Sequence, residues 1–227
     1  MSEPEKLVVN VDDSDKVTAL LYSAPKNNRL GKTIVLAHGA GANQLHNVMR
    51  LFANGLASHG FDVMTFNFVY MEKGKGAPDQ KAKLESCYRA VIREATKHKK
   101  LKKNGLLIGG KSMGGRIASQ VAAEGEESVA GLVFLGYPLH PPGQPDKLRT
   151  EHWKNIKVPM LFLQGTRDPF GTPDEIKPFI KKLRLPAKIY AVETGDHSFK
   201  VQKSAGMSQD EVYEKAMDEI TEWARKL

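Results

Sequence analysis

Residues 105–116 read GLLIGGKSMGGR, and the rest of the chain is interpreted from this stretch. Its first half is an apolar run that is typical of a buried strand, and a helical pattern follows it. Between the two lies Gly110-Lys111-Ser112-Met113-Gly114, a G-x-S-x-G turn. Small residues flank the serine because so sharp a turn leaves no room for side chains, and the turn holds the hydroxyl out over the end of the sheet. The context predicts a nucleophile at Ser112, and the alternative is a serine that only caps the helix.

Strand patterns and helix patterns alternate along most of the chain. Apolar runs predict strands at 33–37, 61–68, 105–109, 129–136, 158–164 and 187–192, and helical spacing predicts helices at 43–59, 79–99, 113–123, 173–183 and 208–226. Two earlier segments, residues 6–11 and 17–23, predict an antiparallel hairpin because turn-forming residues separate them. This order predicts an α/β fold with a mostly parallel sheet of about eight strands and helices on both faces.

The residues that would activate Ser112 are expected at the ends of later strands. A serine hydroxyl becomes a nucleophile when an imidazole takes its proton, and a carboxylate orients that imidazole. In strand–turn–helix sites of this kind the partners follow in the order serine, acid, histidine. Asp168 and His197 each follow a different predicted strand in that order. We therefore predict a Ser112, Asp168 and His197 triad, with Asp196 as the weaker rival for the acid.

The same chemistry needs backbone N–H groups that stabilise a developing oxyanion. Residues 38–41 (HGAG) directly follow a predicted strand and form a His-Gly turn of the kind that supplies one such donor. We assign the first donor to the amide of Ala40 and the second to the amide of Met113, directly after the nucleophile. His38 is a rival general base, although its place before the turn favours a structural role.

The least regular stretch of the chain covers residues 137–156 and is rich in proline and glycine. It follows a strand at the edge where the site is expected, so it is a candidate substrate-contacting loop. The cations Lys111, Arg116 and Arg149 would favour an anionic group if they face the pocket, and the alternative for each is a solvated surface position. The sequence assigns no other substrate-binding residue.

Length and charge narrow the class of protein. The 227 residues fit one domain, residues 1–227, and leave little room for a large lid. The formal net charge is +8, and much of the excess lies in residues 97–103 (KHKKLKK), where no aromatic residue is interleaved. Such a run is typical of a solvated helix end rather than of a nucleic-acid surface, so no nucleic-acid partner is expected.

Other motifs point to no cofactor and no membrane. The single cysteine, Cys87, cannot form an intrachain disulfide and is expected to be a buried helix residue rather than a nucleophile. Neither a Cys/His metal spacing nor a phosphate-binding glycine motif is complete, so no metal or cofactor is expected. The polar first residues do not read as a signal peptide, and no apolar run of about 18 residues predicts a membrane span. We therefore predict a cytoplasmic protein.

Several segments together resemble one family of α/β hydrolases. The segments are 38–41 (HGAG), 110–116 (GKSMGGR), 137–143 (YPLHPPG), 148–149 (LR), 164–168 (QGTRD) and 196–198 (DHS). The family includes testis-expressed hydrolase-like proteins and the hydrolase-like domain of a nuclear acetyltransferase-complex subunit. The resemblance implies an α/β-hydrolase fold without a large lid domain and a Ser/Asp/His site. Some relatives reuse the framework for binding.

The favoured hypothesis is a serine hydrolase, carboxylesterase-like, that cleaves ester or related acyl bonds of small soluble substrates through an acyl-enzyme. A peptidase or an acyltransferase would use the same three residues, and fold does not separate these activities. A catalytically silent interaction module is the alternative from another class, and it would leave Ser112 unreactive. The sequence does not indicate the oligomeric state.

Overall fold

The computed structural model of the protein describes residues 3–125, 127–203 and 206–227, and one sheet of eight strands runs through them. The strands are β1 (Glu5–Asn10), β2 (Lys16–Tyr22), β3 (Lys32–Ala37), β4 (Asp62–Phe66), β5 (Gly105–Lys111), β6 (Gly131–Leu135), β7 (Met160–Gly165) and β8 (Ala187–Val192). Their spatial order is β1-β2-β4-β3-β5-β6-β7-β8. The β1–β2 and β2–β4 pairs are antiparallel, and the other five pairs are parallel.

Helices cover both faces of the sheet. They are α1 (Asn47–Ser58), α2 (Val69–Glu72), α3 (Lys81–Lys97), α4 (Met113–Glu124), α5 (Pro173–Leu183) and α6 (Gln209–Ala224). Helices α1 and α6 contact each other and pack on one face, while α3, α4 and α5 pack on the other. The predicted mostly parallel sheet of about eight strands, covered on both faces, is therefore confirmed. No helix within the described ranges is long and apolar enough to cross a membrane.

The sequence of the central strand β3 is a continuous apolar run because both of its faces are covered. Successive side chains of a strand point to opposite faces of the sheet. Ile34 and Leu36 pack with α1 and α6, whereas Val35 and Ala37 pack on the opposite side of the sheet. All four are buried, and each large aliphatic side chain removed from water stabilises the fold by about 1.5–3 kcal/mol.

The first helix begins later than its sequence pattern predicts. The prediction of a helix from residue 43 is wrong, because α1 begins at Asn47. The Asn43 side chain accepts a hydrogen bond from the Leu45 amide at 2.9 Å, and the Gln44 amide donates to the Asn67 side chain at 3.0 Å. Such side-chain bonds compete with the helical ones. Leu45, which the helical pattern places in the core, is exposed.

Candidate active site

Ser112 lies at the point where β5 ends and α4 begins. Its φ of 51° and ψ of −117° belong to a region that non-glycine residues rarely adopt, which costs about 1–3 kcal/mol and occurs mainly at functional sites. Its side chain makes no capping bond to α4. The capping alternative therefore has no support in the contacts of Ser112.

The glycines on either side of Ser112 are required by the approach of a neighbouring strand. A Cβ atom at Gly110 or at Gly114 would lie 2.3 Å from the carbonyl oxygen of Ala37 in β3. That oxygen belongs to a central strand and cannot move aside, so only glycine fits. The contact of the turn with β3 thus explains why both flanking positions of the G-x-S-x-G pattern are glycine.

Of the three residues predicted as a triad, His197 lies within hydrogen-bonding distance of both others. Asp168 follows β7 and His197 follows β8, so both meet Ser112 at one edge of the sheet. His197 Nδ1 lies 2.7 Å from Asp168 Oδ2, and His197 Nε2 lies 2.8 Å from Ser112 Oγ. The imidazole tautomer with its proton on Nδ1 satisfies both contacts, because Nε2 then accepts from the serine hydroxyl.

Asp168 is buried, and protein donors hold both of its oxygens. The Gln164 side-chain amide donates to Oδ2 at 2.9 Å, and the Phe170 backbone N–H donates to Oδ1 at 2.8 Å. Gln164 is itself buried and also donates to the carbonyl of Gly171 at 2.6 Å. Sequence reasoning assigned Gln164 no role. The available signal was a single polar residue near the end of an otherwise apolar strand.

The rival acid, Asp196, has a different set of partners. Its Oδ1 accepts hydrogen bonds from the backbone N–H groups of Ser198 at 2.8 Å and Lys200 at 2.9 Å. These bonds shape the loop that carries His197. The structure therefore brings Asp168 against the imidazole and leaves Asp196 as a loop-forming residue.

Ala40 and Met113 line the same cavity as Ser112. Among the hydrogen bonds between described residues, neither amide donates to another protein group. Both amides are therefore free of protein acceptors among these residues. Met113 is also the first residue of α4, where the positive end of the helix dipole favours negative charge.

The His38 side chain is buried and contacts only backbone groups through its two ring nitrogens. Its Nδ1 lies 2.8 Å from the carbonyl oxygen of Gly39, and its Nε2 accepts a hydrogen bond from the Phe68 amide at 3.1 Å. Burial lowers the pKa of His38 to about 4, so the ring is neutral near pH 7. Both nitrogens are occupied by backbone groups, which fits the structural role and not the rival role of general base.

The cavity beside Ser112 has a volume of about 480 Å³. The ring of Phe170 packs against the His197 imidazole with centroids 4.2 Å apart. Pro138 and Arg149 line the cavity too, so the irregular loop at 137–156 does reach the site, as its position in the sequence predicts. Buried Cys87 lies in α3 and, as predicted, belongs to the core.

One group of side chains within the described ranges could hold a metal ion, formed by His59, Glu214 and Asp218. His59 Nε2 lies 3.3 Å from the Glu214 carboxylate and 3.2 Å from the Asp218 carboxylate. These contacts join His59, the residue after the end of α1, to two carboxylates of α6. The group lies near the start of β4, whereas Ser112 follows the end of β5, so it has no part in the candidate active site.

A mostly parallel sheet that carries a strained serine turn at the end of a central strand defines the α/β hydrolases. A family model described as an alpha/beta hydrolase domain matches residues 31–225. The chain belongs to this family.

Solved structures of serine hydrolases and esterases have the same fold. An α/β serine hydrolase without a lid from Xanthomonas campestris is 17% identical, with a TM-score of 0.73 over 98% of this chain and 96% of that one. An α/β serine hydrolase homologue from Coxiella burnetii is 18% identical, with a TM-score of 0.72 over 100% and 98%. The esterase domain of a Rhodothermus marinus protein is 15% identical, with a TM-score of 0.73 over 99% of both chains. The predicted α/β-hydrolase fold without a lid is therefore confirmed.

Proposed function

We propose that the protein is a serine hydrolase that cleaves ester bonds of small acyl substrates, with Ser112 as the nucleophile. The observation that carries this proposal is the unbroken chain of contacts from Asp168 through His197 to the Ser112 hydroxyl. A hydroxyl that only stabilised the fold would not need a strained backbone and an imidazole aligned with a buried carboxylate. The esterases and serine hydrolases among the similar structures agree with this chemistry.

In the first half of the reaction, His197 Nε2 takes the proton of Ser112 as Oγ attacks the substrate carbonyl. The carbonyl oxygen becomes an oxyanion, which the amides of Ala40 and Met113 stabilise, each donor contributing about 3 kcal/mol. The Asp168 carboxylate orients the imidazolium and stabilises it. When the carbon–oxygen bond of the ester breaks, His197 protonates the departing alcohol and the acyl group remains on Ser112.

In the second half, His197 takes a proton from water, and the resulting hydroxide attacks the acyl-enzyme. The second oxyanion occupies the same pair of amides. Its collapse breaks the bond to Oγ, His197 returns the proton to Ser112, and the carboxylic acid leaves. Every group that moves a proton in this scheme belongs to the chain, so the proposal includes no cofactor.

A fluorophosphonate probe tests the proposal directly. We expect the probe to label the intact protein and not the Ser112→Ala variant, and we expect hydrolysis of a small 4-nitrophenyl ester to disappear in the same variant. Ser198→Ala is the matched control, because Ser198 also borders the cavity but lies outside the proposed triad. A folded protein that neither reacts with the probe nor cleaves the ester would instead support an interaction module.

Three narrower points accompany this function as predictions. Residues 1–227 are proposed to form one domain, and the protein is proposed to act in the cytoplasm. Within the α/β hydrolases, we propose that the protein belongs with the testis-expressed hydrolase-like and acetyltransferase-complex proteins that its sequence resembles. An amide substrate or an alcohol acceptor in place of water would make the same site a peptidase or an acyltransferase.

A further inference from the structure

Two arginines reach the cavity of Ser112 from different elements. Arg116 lies in the first turn of α4, one turn beyond Ser112, and Arg149 lies on the loop that follows β6. Both side chains are half-buried and both line the cavity. Neither forms an ion pair with a carboxylate anywhere in the part of the chain that the structure describes.

The loop holds Arg149 in place through its backbone. The Arg149 amide donates to the carbonyl of Leu139 at 2.8 Å, and its carbonyl accepts from the buried Tyr137 hydroxyl at 2.8 Å. Tyr137 in turn accepts a hydrogen bond from the indole of Trp153 at 3.0 Å. A cation on such a fixed backbone loses little conformational freedom when it binds a ligand.

The two guanidinium groups have unused hydrogen-bonding capacity. Arg116 Nε is buried and has no hydrogen-bond partner among the described residues. One Arg149 nitrogen makes a long contact of 3.4 Å to the carbonyl of Pro138. Burial lowers the pKa of Arg149, and the positive charge of the neighbouring Arg116 lowers it further, because the two cations repel each other. An anion between them would relieve this repulsion and supply the missing acceptors.

The other charges of the cavity leave the arginine pair without a counter-ion. Lys81 contacts Glu85 at 3.5 Å, and burial lowers the pKa of Lys111 to about 8 while Asp168 and Asp196 raise it. Asp79 is the acidic residue in the cavity lining, and it forms no ion pair with either arginine. The lining therefore has a surplus of positive charge beside Ser112.

We propose that Arg116 and Arg149 form a subsite for an anionic oxyacid group, a carboxylate or a phosphate, carried by the acyl substrate. A guanidinium fork matches either group in two parallel hydrogen bonds. The inference rests on the proposed hydrolase function and names its substrate class: esters whose acyl part ends in a negative charge.

The test compares 4-nitrophenyl esters of equal chain length and different terminal charge. The esters are the neutral hexanoate, the monoester of adipate, a six-carbon acyl chain with a terminal phosphate, and the trimethylammonium analogue. We expect kcat/KM for the anionic esters to exceed that of the neutral ester by about 10- to 100-fold, and the cationic ester to be the poorest. The carboxylate and phosphate arms show which oxyacid fits better.

Arg116→Gln and Arg149→Gln should each reduce the anionic-to-neutral ratio of kcat/KM by about tenfold or more. Lys182→Gln is the control for net charge, because Lys182 is an exposed cation on α5 outside the cavity, and it should keep the wild-type ratio. A wild-type ratio near one, or a ratio that neither arginine variant changes, would overturn the subsite.

A binding measurement separates this inference from the hydrolase proposal. Adipate and hexylphosphonate should raise the Tm of Ser112→Ala, hexanol should not, and the added Arg149→Gln change should abolish the rise. If the wild type cleaves no ester but the anions still stabilise Ser112→Ala, the hydrolase proposal fails and the anion subsite stands. If neutral esters are cleaved and no anion binds, the subsite fails alone.

Discussion

At the scale of single residues, the candidate site depends on groups that the fold buries and leaves with few alternatives. Asp168 is buried, accepts from Gln164 and Phe170, and has one oxygen directed at His197. A buried carboxylate requires partners of this kind, because an isolated charge in the interior is expensive. The bonds that satisfy the buried carboxyl group of Asp168 also fix its direction toward the imidazole.

The substitution Asp168→Asn tests whether the Asp168 carboxylate orients the His197 imidazole. The new side chain has the same shape, but its amide can donate to His197 Nδ1, which favours the tautomer that cannot accept the Ser112 proton. We expect kcat for a neutral 4-nitrophenyl ester to fall by about three to four orders of magnitude with little change in Tm. Asp174→Asn, at an exposed position of α5, is the control and should retain activity. Activity within tenfold of wild type in Asp168→Asn would contradict the proposed triad.

Lys111 carries a cost in stability that depends on pH. Burial is the main cause that lowers its pKa to about 8, and its Nζ has no hydrogen-bond partner in the described structure. Lys111 binds its proton more tightly in the unfolded chain than in the folded one. The protonated side chain therefore destabilises the folded state below pH 8, and this destabilisation decreases between about pH 8 and 10.5. The penalty near pH 7 is about 3 kcal/mol at most.

Lys111→Met should therefore raise the free energy of unfolding near pH 7 by about 2–3 kcal/mol, and the gain should shrink by about 1 kcal/mol at pH 9. Denaturant unfolding at the two pH values measures both quantities. Lys182→Met, an exposed substitution, should change stability by less than about 0.5 kcal/mol. A gain that is equal at both pH values would mean that the ammonium charge is not its cause.

At the scale of elements, the sequence was most informative where one local contact demands a residue type. The elbow is such a place, because the backbone of β3 touches both flanking glycines, and its pattern located Ser112 correctly at the end of β5. The start of α1 is the opposite case. Its apolar spacing extends to Leu45, but the Gln44 amide donates to the side chain of Asn67, which directly follows β4, and this bond competes with helix formation. Long-range bonds of this kind leave no mark in the local pattern.

The approach of α4 to β3 yields a test at the same scale. A Cβ at Gly114 would lie 2.3 Å from the Ala37 oxygen and 2.7 Å from the His38 oxygen, both of them backbone atoms. We expect Gly114→Ala to cost about 3 kcal/mol or more in the free energy of unfolding. Gly76→Ala is the matched control, because no heavy atom lies within 4 Å of its Cβ position, and it should be neutral or slightly stabilising. Equal stabilities would show that α4 shifts freely against β3.

At the scale of the whole molecule, the sheet gathers residues that are far apart in the sequence. Ser112, Asp168 and His197 follow three different parallel strands, so their order along the chain and the parallel topology together predict their meeting. The partnership of Arg116 and Arg149 could not be predicted as firmly, since Arg149 lies in an irregular loop. Its position depends on the buried Tyr137 and Trp153, whose contacts only the folded chain reveals.

Two neutral histidines, the buried His38 and the partly buried His152, should make the whole fold sensitive to mild acid. Burial lowers the pKa of His38 to about 4, and burial together with nearby Lys81 and Arg116 does the same for His152. Below pH 6.5 the two histidines become protonated in the unfolded chain but stay neutral in the folded chain. The free energy of unfolding therefore falls as the pH drops toward 4. Each histidine should cost about 2 kcal/mol between pH 7 and pH 5, about 4 kcal/mol together.

Denaturant unfolding at pH 7, 6 and 5 measures this loss. His152→Gln removes one titrating ring, and the new side-chain amide can replace the contact of Nε2 with the Ser119 hydroxyl, which is 2.7 Å in the folded protein. The variant should lose about 2 kcal/mol less than the wild type over the same range, because the remaining loss then comes chiefly from His38. An identical pH dependence in both proteins would mean that His152 accepts its proton equally well in the folded and unfolded chains, and that its burial does not resist charging.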